Sequence, residues 1–228
     1  MISREGRYAV FFAAMRDVWN TESLVASDKT HCWHPFTQMQ EWCAEGHEPL
    51  VLVEGEGAML RDSRGREYLD GNSSIWTNPF LGSTTASASQ LVARLVALFP
   101  PGALPRVFLS DDGSTAVESA MKMAVQYWQQ SGSPGRARFV AFDHAYHGDT
   151  AGAASLGGIG AFHDRFAGHQ FPVHRICDPD ELEQLPTEEL AAVVIEPLIQ
   201  GAAGMRVWPQ GLLRRLRERC DAAGTLLI

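Results

Sequence analysis

Two aspartates, a glycine, a serine and a threonine follow one another in the segment SDDGSTAVE at residues 110–118. Gly113 lets a backbone approach a ligand closely, and Ser114 and Thr115 offer hydroxyl donors. The apolar run 106–109 predicts a buried strand before this turn, and the pattern of residues 116–130 predicts a helix after it. Free N–H groups and the helix dipole favour an anion at such a junction, so the segment predicts a phosphate-binding turn.

Two further polar segments follow predicted strands. DHAYHGD at 143–149 comes after the apolar run 139–142, and EPLIQ at 196–200 comes after the run 191–195. Strands without polar alternation, separated by helices, indicate a parallel sheet that is buried on both faces. Ligands of such sheets bind at the carboxyl ends of the strands. We therefore expect the three polar segments to converge on one edge of an α/β domain.

The elements that must position these segments are predicted from hydrophobic periodicity. Short strands at 50–53 and 58–61, followed by residues 68–71, form a small β region. Helices are predicted at 89–99 and 210–223, and one more strand begins at residue 225. Each chemical motif therefore lies at the end of a regular element.

Composition excludes several classes of protein. The formal net charge of -8 and the lack of a basic stripe argue against a nucleic-acid partner. No apolar run is long enough to span a membrane. The cysteines are widely spread and lack a C-x-x-C pair, which indicates neither a zinc site nor a disulfide framework but reduced thiols in a cytoplasmic protein. They are Cys32, Cys43, Cys177 and Cys220.

Taken in order, the motifs resemble those of the class III (ornithine-type) aminotransferases, which depend on pyridoxal 5'-phosphate. Within that class they are most similar to the adenosylmethionine–8-amino-7-oxononanoate aminotransferases of biotin synthesis. The resemblance begins near residue 27 and continues to Ile228, which is roughly half of a family member. The matching segments are WHPFT at 33–37, DGNSSIW at 70–76, DGSTAVE at 112–118, MKMAVQYW at 121–128, YHGDT at 146–150 and IEPLIQG at 195–201.

The resemblance implies a fold-type I architecture, mainly a parallel sheet flanked by helices. It divides the chain into an extension (1–27), a segment with the small β region (28–78) and an incomplete large domain that binds the cofactor (79–228). It implies a homodimer that acts on 8-amino-7-oxononanoate, with S-adenosylmethionine or another amine as donor. The implied cofactor-binding residues are Gly113, Ser114, Thr115, Tyr146 (against the pyridine ring) and Glu196 (near the polar edge). The implied substrate-binding residues are Phe36, Ile75, Trp76 and Tyr146.

The chain also departs from the family. Its lysines are Lys29 and Lys122, and neither matches the family's Schiff-base lysine, which we expect beyond Ile228 together with the acid that pairs with the pyridine nitrogen. Residues after Asn78 indicate an internal deletion, and Phe36 stands where the best-known members have tyrosine. We therefore expect no catalytic lysine within this chain.

Other interpretations of the same residues stay open at this point. The chain is alternatively a non-catalytic remnant or interaction module, or an aminotransferase of the ornithine or 4-aminobutyrate type. Taken singly, Ser114 is equally well a helix cap, Tyr146 a packed loop residue and Trp76 a core residue. Glu196 alone could end a strand and satisfy a neighbouring backbone group.

Overall fold

The computed structural model describes residues 19–34, 37–70 and 83–228. Three of the predicted substrate-binding residues, Phe36, Ile75 and Trp76, lie outside the described residues, as does the junction after Asn78. The chain divides into two compact units, Met1–Leu109 and Ser110–Ile228. Across the described ranges, no helix combines the length and the apolar character that crossing a bilayer requires.

The first unit forms, in chain order, α1 (Thr21–His31), α2 (Met39–Trp42), β1 (Leu50–Glu56), β2 (Met59–Asp62), β3 (Glu67–Leu69), β4 (Ser83–Thr85) and α3 (Ala86–Val96). Its strands make a four-stranded sheet in the order β3-β2-β1-β4. Strands β1 to β3 are antiparallel neighbours, and β4 runs parallel to β1. The predicted small β region is thus confirmed.

The second unit forms, in chain order, α4 (Gly113–Gln130), β5 (Arg138–Phe142), α5 (Ala151–Leu156), α6 (Gly160–His163), β6 (His174–Ile176), β7 (Leu190–Val194), β8 (Ile199–Gln200), β9 (Arg206–Val207), α7 (Leu212–Ala222) and β10 (Leu226–Leu227). Its main sheet has four strands in the order β10-β7-β5-β6, and every neighbouring pair is parallel. Strands β8 and β9 form a short antiparallel hairpin between β7 and β10 in the sequence. The predicted parallel α/β architecture is confirmed.

Both faces of this sheet are buried, which explains its uninterrupted apolar runs. No residue of β7 is more than 2% exposed. Val140 and Phe142 of β5 belong to one core cluster, which includes Leu216 of α7. The alternating residues Phe139 and Ala141 belong to a second cluster, which includes Met121 of α4. Helices on both faces therefore hold the strand ends, and the loops that follow them, in fixed positions.

Two predictions about the phosphate turn are wrong in detail. The predicted strand at 106–109 forms only an isolated bridge, between Val107 and Cys32, and this bridge belongs to the first unit. The predicted helix at 116–130 begins three residues earlier, at Gly113. Its early start has a physical cause, since Asp112 caps the helix and makes the Gly-Ser-Thr segment its first turn.

Candidate functional site

The first turn of α4 leaves two backbone donors free. The Asp112 carboxylate accepts from the Thr115 N–H at 2.8 Å, and the Thr115 hydroxyl oxygen accepts from the Asp112 N–H at 3.1 Å. This capping box uses the Thr115 hydroxyl, which also accepts from Ser110 Oγ at 2.7 Å. Within the described chain, the N–H groups of Gly113 and Ser114 donate to no acceptor. They are therefore available to an anion.

The space around Gly113 is open. A Cβ atom built on Gly113 meets no atom of the described residues within 4 Å, so the glycine presents its backbone to a free volume among them. An 18-residue helix carries the equivalent of about half a positive charge at its N-terminus. Free N–H groups, open space and a positive helix end together fit a phosphate group.

The loop after β5 docks directly on this helix end. The Asp149 N–H donates to Ser114 Oγ at 3.1 Å. Gly148 has a φ of 127°, and a Cβ atom there would lie 2.2 Å from Ser114 Oγ and 2.9 Å from Ser114 Cα. One helical turn further on, Glu118 accepts from the Gly152 N–H at 2.6 Å and so holds the start of α5. The sequence predicts that these two polar segments meet, but it does not predict which residues make this close contact.

Tyr146 is fixed at the same edge by its hydroxyl group and by its backbone. Its hydroxyl donates to the Asp149 carboxylate at 2.6 Å, and this hydrogen bond raises the pKa of the phenol. Its backbone N–H donates to Glu196 Oε2 at 3.2 Å. The Tyr146 ring is thus oriented by partners from its own loop and from the segment after β7.

Glu196 joins two loops. Its second carboxylate oxygen accepts from the Gly201 N–H at 2.9 Å, and its backbone carbonyl accepts from Trp208 Nε1 at 2.8 Å. Nearby, Gln200 Nε2 donates to the Asp143 carbonyl at 2.7 Å. The expected convergence of the three polar segments is therefore present, because direct hydrogen bonds connect them. Glu196 uses both carboxylate oxygens to hold backbone N–H groups.

A cleft of about 600 Å³ lies beside Tyr146. Its walls are mainly aromatic and apolar, with one cation and one anion. Sequence reasoning missed most of these residues, although Phe162 and Phe166 stand four residues apart, the spacing of one helical face. The lining residues are Tyr146, Asp149, Ala161, Phe162, Arg165, Phe166 and Ala202.

His147 is half-buried in the loop that carries Tyr146. Its Nε2 atom has no hydrogen-bond partner among the described residues. Burial of the ring and, second, the positive charge of Arg175 together lower its pKa to about 4. Arg175 cannot move away easily, since its guanidinium donates to the carbonyls of Ser155, Leu156 and Gly157. His147 is consequently held neutral.

We expect acid to loosen this loop. An unfolded histidine takes up a proton below pH 6.5, whereas folded His147 does so only near pH 4. Stability is therefore complete above pH 6.5 and is lost as the pH falls toward 4, by up to about 3 kcal/mol from this residue. Urea denaturation of His147→Gln should show a smaller pH dependence in this window, while exposed His169→Gln should keep the original dependence. Identical profiles for all three proteins would contradict the assignment.

Each of the two lysines is described within its own unit. Lys29 belongs to the first unit, where its ammonium donates to the carbonyls of Ala44 at 2.7 Å and His47 at 2.5 Å. Lys122 lies nine residues after Gly113, which is about 14 Å along the helix. Within the second unit, this edge therefore offers free backbone N–H groups and an aromatic ring, and the unit's lysine, Lys122, lies away from it.

The first unit contains a separate buried polar cluster. Ligand-type atoms of Asp28, Cys32 and His34 lie within 4.8 Å of one another. The Asp28 carboxylate, however, already pairs with His34 Nε2 at 3.0 Å and accepts from Trp42 Nε1 at 2.9 Å. Burial raises the pKa of the Cys32 thiol to about 12, which disfavours the thiolate. Hydrogen bonding within the unit accounts for this cluster.

In sequence, the chain is similar to aminotransferases. The profile of the family described as Aminotransferase class-III matches residues 76–228. The adenosylmethionine-8-amino-7-oxononanoate aminotransferase of Geobacter sulfurreducens is 42% identical, over 92% of this chain and 56% of that protein. Its namesake from Nitratidesulfovibrio vulgaris is 41% identical, over 91% of this chain and 46% of that protein. The chain thus spans about half the length of these curated relatives.

Solved structures show the same relationship. The adenosylmethionine-8-amino-7-oxononanoate aminotransferase of Methanocaldococcus jannaschii matches with a TM-score of 0.62 and 32% identity, over 91% of this chain and 54% of that one. An (S)-enantioselective omega-transaminase from Thermomicrobium roseum matches with a TM-score of 0.58 and 30% identity, over 92% of this chain and 56% of that one. Both similarities cover nearly all of this chain but little more than half of the solved proteins.

Proposed function

Because the chain belongs to the class III aminotransferases, which depend on pyridoxal 5'-phosphate and share fold-type I, we propose that it forms the phosphate-binding part of an amino-group transferase. One observation carries this proposal. The loop with Tyr146 is seated on the N-terminus of α4 through the contact of Gly148 and Asp149 with Ser114. An aromatic ring and two free N–H donors are thereby brought to one edge of the sheet.

The residues present fit the cofactor. The N–H groups of Gly113 and Ser114 would hold its phosphate, and the Ser114 hydroxyl, which accepts from Asp149, still has its own proton to donate. The Tyr146 ring would stack on the pyridine. When bound, pyridoxal 5'-phosphate provides the electron sink that amino-group transfer requires. The acidic neighbours Asp111 and Asp112 weaken the positive field at this helix end.

In this proposal, Thr115 and Glu196 position other groups of the site and do not contact the cofactor themselves. The Thr115 hydroxyl is engaged in the helix cap, so it shapes the first turn rather than donating to the phosphate. Glu196 holds the backbone of Tyr146 and Gly201, so it sets the position of the aromatic ring. Both are proposed as positioning residues of the cofactor site.

The proposed reaction is the conversion of 8-amino-7-oxononanoate to 7,8-diaminononanoate, with S-adenosylmethionine or another amine as donor. The names of the curated relatives support this choice. Phe36, Ile75, Trp76 and Tyr146 are the proposed substrate contacts. We further propose a homodimeric, cytoplasmic enzyme; all four cysteines are unpaired, which suits a reducing compartment.

A second candidate is a non-catalytic role for this chain. It is favoured by the engagement of Lys29 with two backbone carbonyls and by the position of Lys122, about 14 Å along α4 from Gly113. The match to an omega-transaminase also keeps another amine substrate in consideration. Cofactor binding and catalysis must therefore be measured separately.

Titration of the purified chain with pyridoxal 5'-phosphate tests the proposal. We expect the phosphate-free analogue pyridoxal to bind at least about tenfold more weakly, because charge-assisted hydrogen bonds contribute about 1.5–3 kcal/mol. Ser114→Ala should weaken pyridoxal 5'-phosphate by about tenfold for the same reason. Ser131→Ala, at the other end of α4, is the matched control and should bind as the original chain does. Equal affinity for both ligands would refute the proposed phosphate site.

A further inference from the structure

His163 is a buried histidine without a hydrogen-bond partner for its side chain. It is 5% exposed, and neither ring nitrogen contacts a donor or acceptor in the part of the chain that the structure describes. Its backbone is anchored, since its N–H donates to the Ile159 carbonyl and its own carbonyl accepts from Gln170 Nε2. The imidazole ring is therefore held in place by packing and not by hydrogen bonds.

Two glycines allow the close packing around the His163 ring. A Cβ atom on Gly157 would lie 2.2 Å from His163 Cε1 and 2.4 Å from Nδ1, so the glycine backbone faces the edge of the ring. Gly158 donates its N–H to the Ala145 carbonyl at 2.8 Å, and a Cβ atom there would lie 2.7 Å from the His144 N atom. The segment before α6 is thus packed against the loop that carries Tyr146.

The Tyr146 ring lies parallel to the His163 ring. Their centroids are 5.8 Å apart, and their planes differ by 12°. Phe162 meets Tyr146 edge-on, with centroids 5.8 Å apart and planes at 77°. These separations fall within the range in which aromatic pairs stabilise one another by about 0.5–1.5 kcal/mol. Tyr146 is therefore supported by one parallel ring and one perpendicular ring.

We propose that His163 is a positioning residue, whose parallel ring sets the orientation of Tyr146 for stacking on the cofactor. The inference rests on the proposed function, since it assumes that Tyr146 meets the pyridine ring. Because no described group bonds to its nitrogens, the contribution of His163 is that of a flat ring. A phenylalanine should therefore replace it, whereas alanine or glutamine should not.

The test measures affinity for two ligands in a set of variants. We expect His163→Ala to weaken pyridoxal 5'-phosphate by up to about tenfold, the value of one aromatic contact. Its affinity for inorganic phosphate should stay within about twofold, because phosphate alone does not use the Tyr146 ring. His163→Phe should retain both affinities, and His169→Ala, exposed on the adjoining helical segment, is the control.

A double-mutant cycle separates positioning from simple structural support. In a Tyr146→Ala background, His163→Ala should have no further effect on pyridoxal 5'-phosphate. The inference is overturned if the loss persists in that background, if phosphate affinity falls equally, or if His163→Gln binds normally while His163→Phe does not.

A measurement made without the cofactor tests the role of His163 independently of the proposed function. The hydrogen bond to Asp149 raises the pKa of Tyr146, so disorder of its ring should return the phenol toward its ordinary titration. We expect a spectrophotometric titration, corrected with Tyr146→Phe, to shift to lower pH in His163→Ala but not in His169→Ala. If the original chain fails to bind pyridoxal 5'-phosphate, the proposed function fails, and this titration alone decides the inference: an unchanged phenol overturns it.

Discussion

Replacing Gly148 by alanine is expected to disrupt both the site and the loop that carries it. The new methyl group would lie 2.2 Å from Ser114 Oγ and 2.9 Å from Ser114 Cα. The Cα atom belongs to the helix backbone, so a change of side-chain rotamer cannot remove the second overlap. The φ of 127° adds strain, because side chains other than glycine's rarely adopt it. We expect the free energy of unfolding in urea to fall by about 3 kcal/mol, and affinity for pyridoxal 5'-phosphate to fall more than tenfold.

Gly168→Ala provides the matched control for this prediction. A Cβ atom on Gly168 meets nothing within 4 Å in the part of the chain that the structure describes, and its φ lies outside the range that favours glycine. We expect its stability to stay within about 0.5 kcal/mol of the original chain. If Gly148→Ala were equally harmless, the contact between the Tyr146 loop and α4 would have to be abandoned.

The second prediction is that this chain by itself catalyses no amino-group transfer. Amino-group transfer needs a lysine that bonds to the cofactor aldehyde and then carries a proton. Lys29 is engaged with two carbonyls, and Lys122 lies about 14 Å along α4 from its first turn. We therefore expect no amino transfer and no stoichiometric borohydride-stable adduct by mass spectrometry. Turnover accompanied by an adduct on Lys122 would contradict this, and Lys122→Gln would then abolish both.

The architecture of the second unit is largely predictable from sequence. Residues 190–195 form an apolar run because both faces of β7 are covered, and such burial removes the polar alternation of a half-exposed strand. Parallel strands present their carboxyl ends at one edge, so the meeting of Tyr146 and Glu196 also follows from the order of elements. Ser114 follows no strand of this sheet and joins them through the contact of α4 with the loop after β5. Their individual roles toward a cofactor remain predictions.

What sequence reasoning missed depends on contacts between distant residues. The run 106–109 is apolar enough for a strand, but among the described residues Val107 forms only an isolated bridge, to Cys32. Both residues belong to the first unit, whereas the parallel sheet belongs to the second. The helix start at Gly113 depends on a side-chain cap that periodicity does not detect. The stacking of His163 on Tyr146 joins residues 17 positions apart through a glycine contact, and no periodic pattern encodes such a contact.

The proposed phosphate site at the first turn of α4 is tested most directly by amide NMR. The chain, labelled with 15N, would be titrated with pyridoxal 5'-phosphate and, separately, with inorganic phosphate. Hydrogen bonds to phosphate oxygens move amide protons downfield, so we expect the largest shifts from both ligands at Gly113 and Ser114. Tyr146 and Asp149 should respond clearly to pyridoxal 5'-phosphate alone. Largest shifts elsewhere, for example around Lys122, or no shifts at Gly113 and Ser114 would contradict the proposed site.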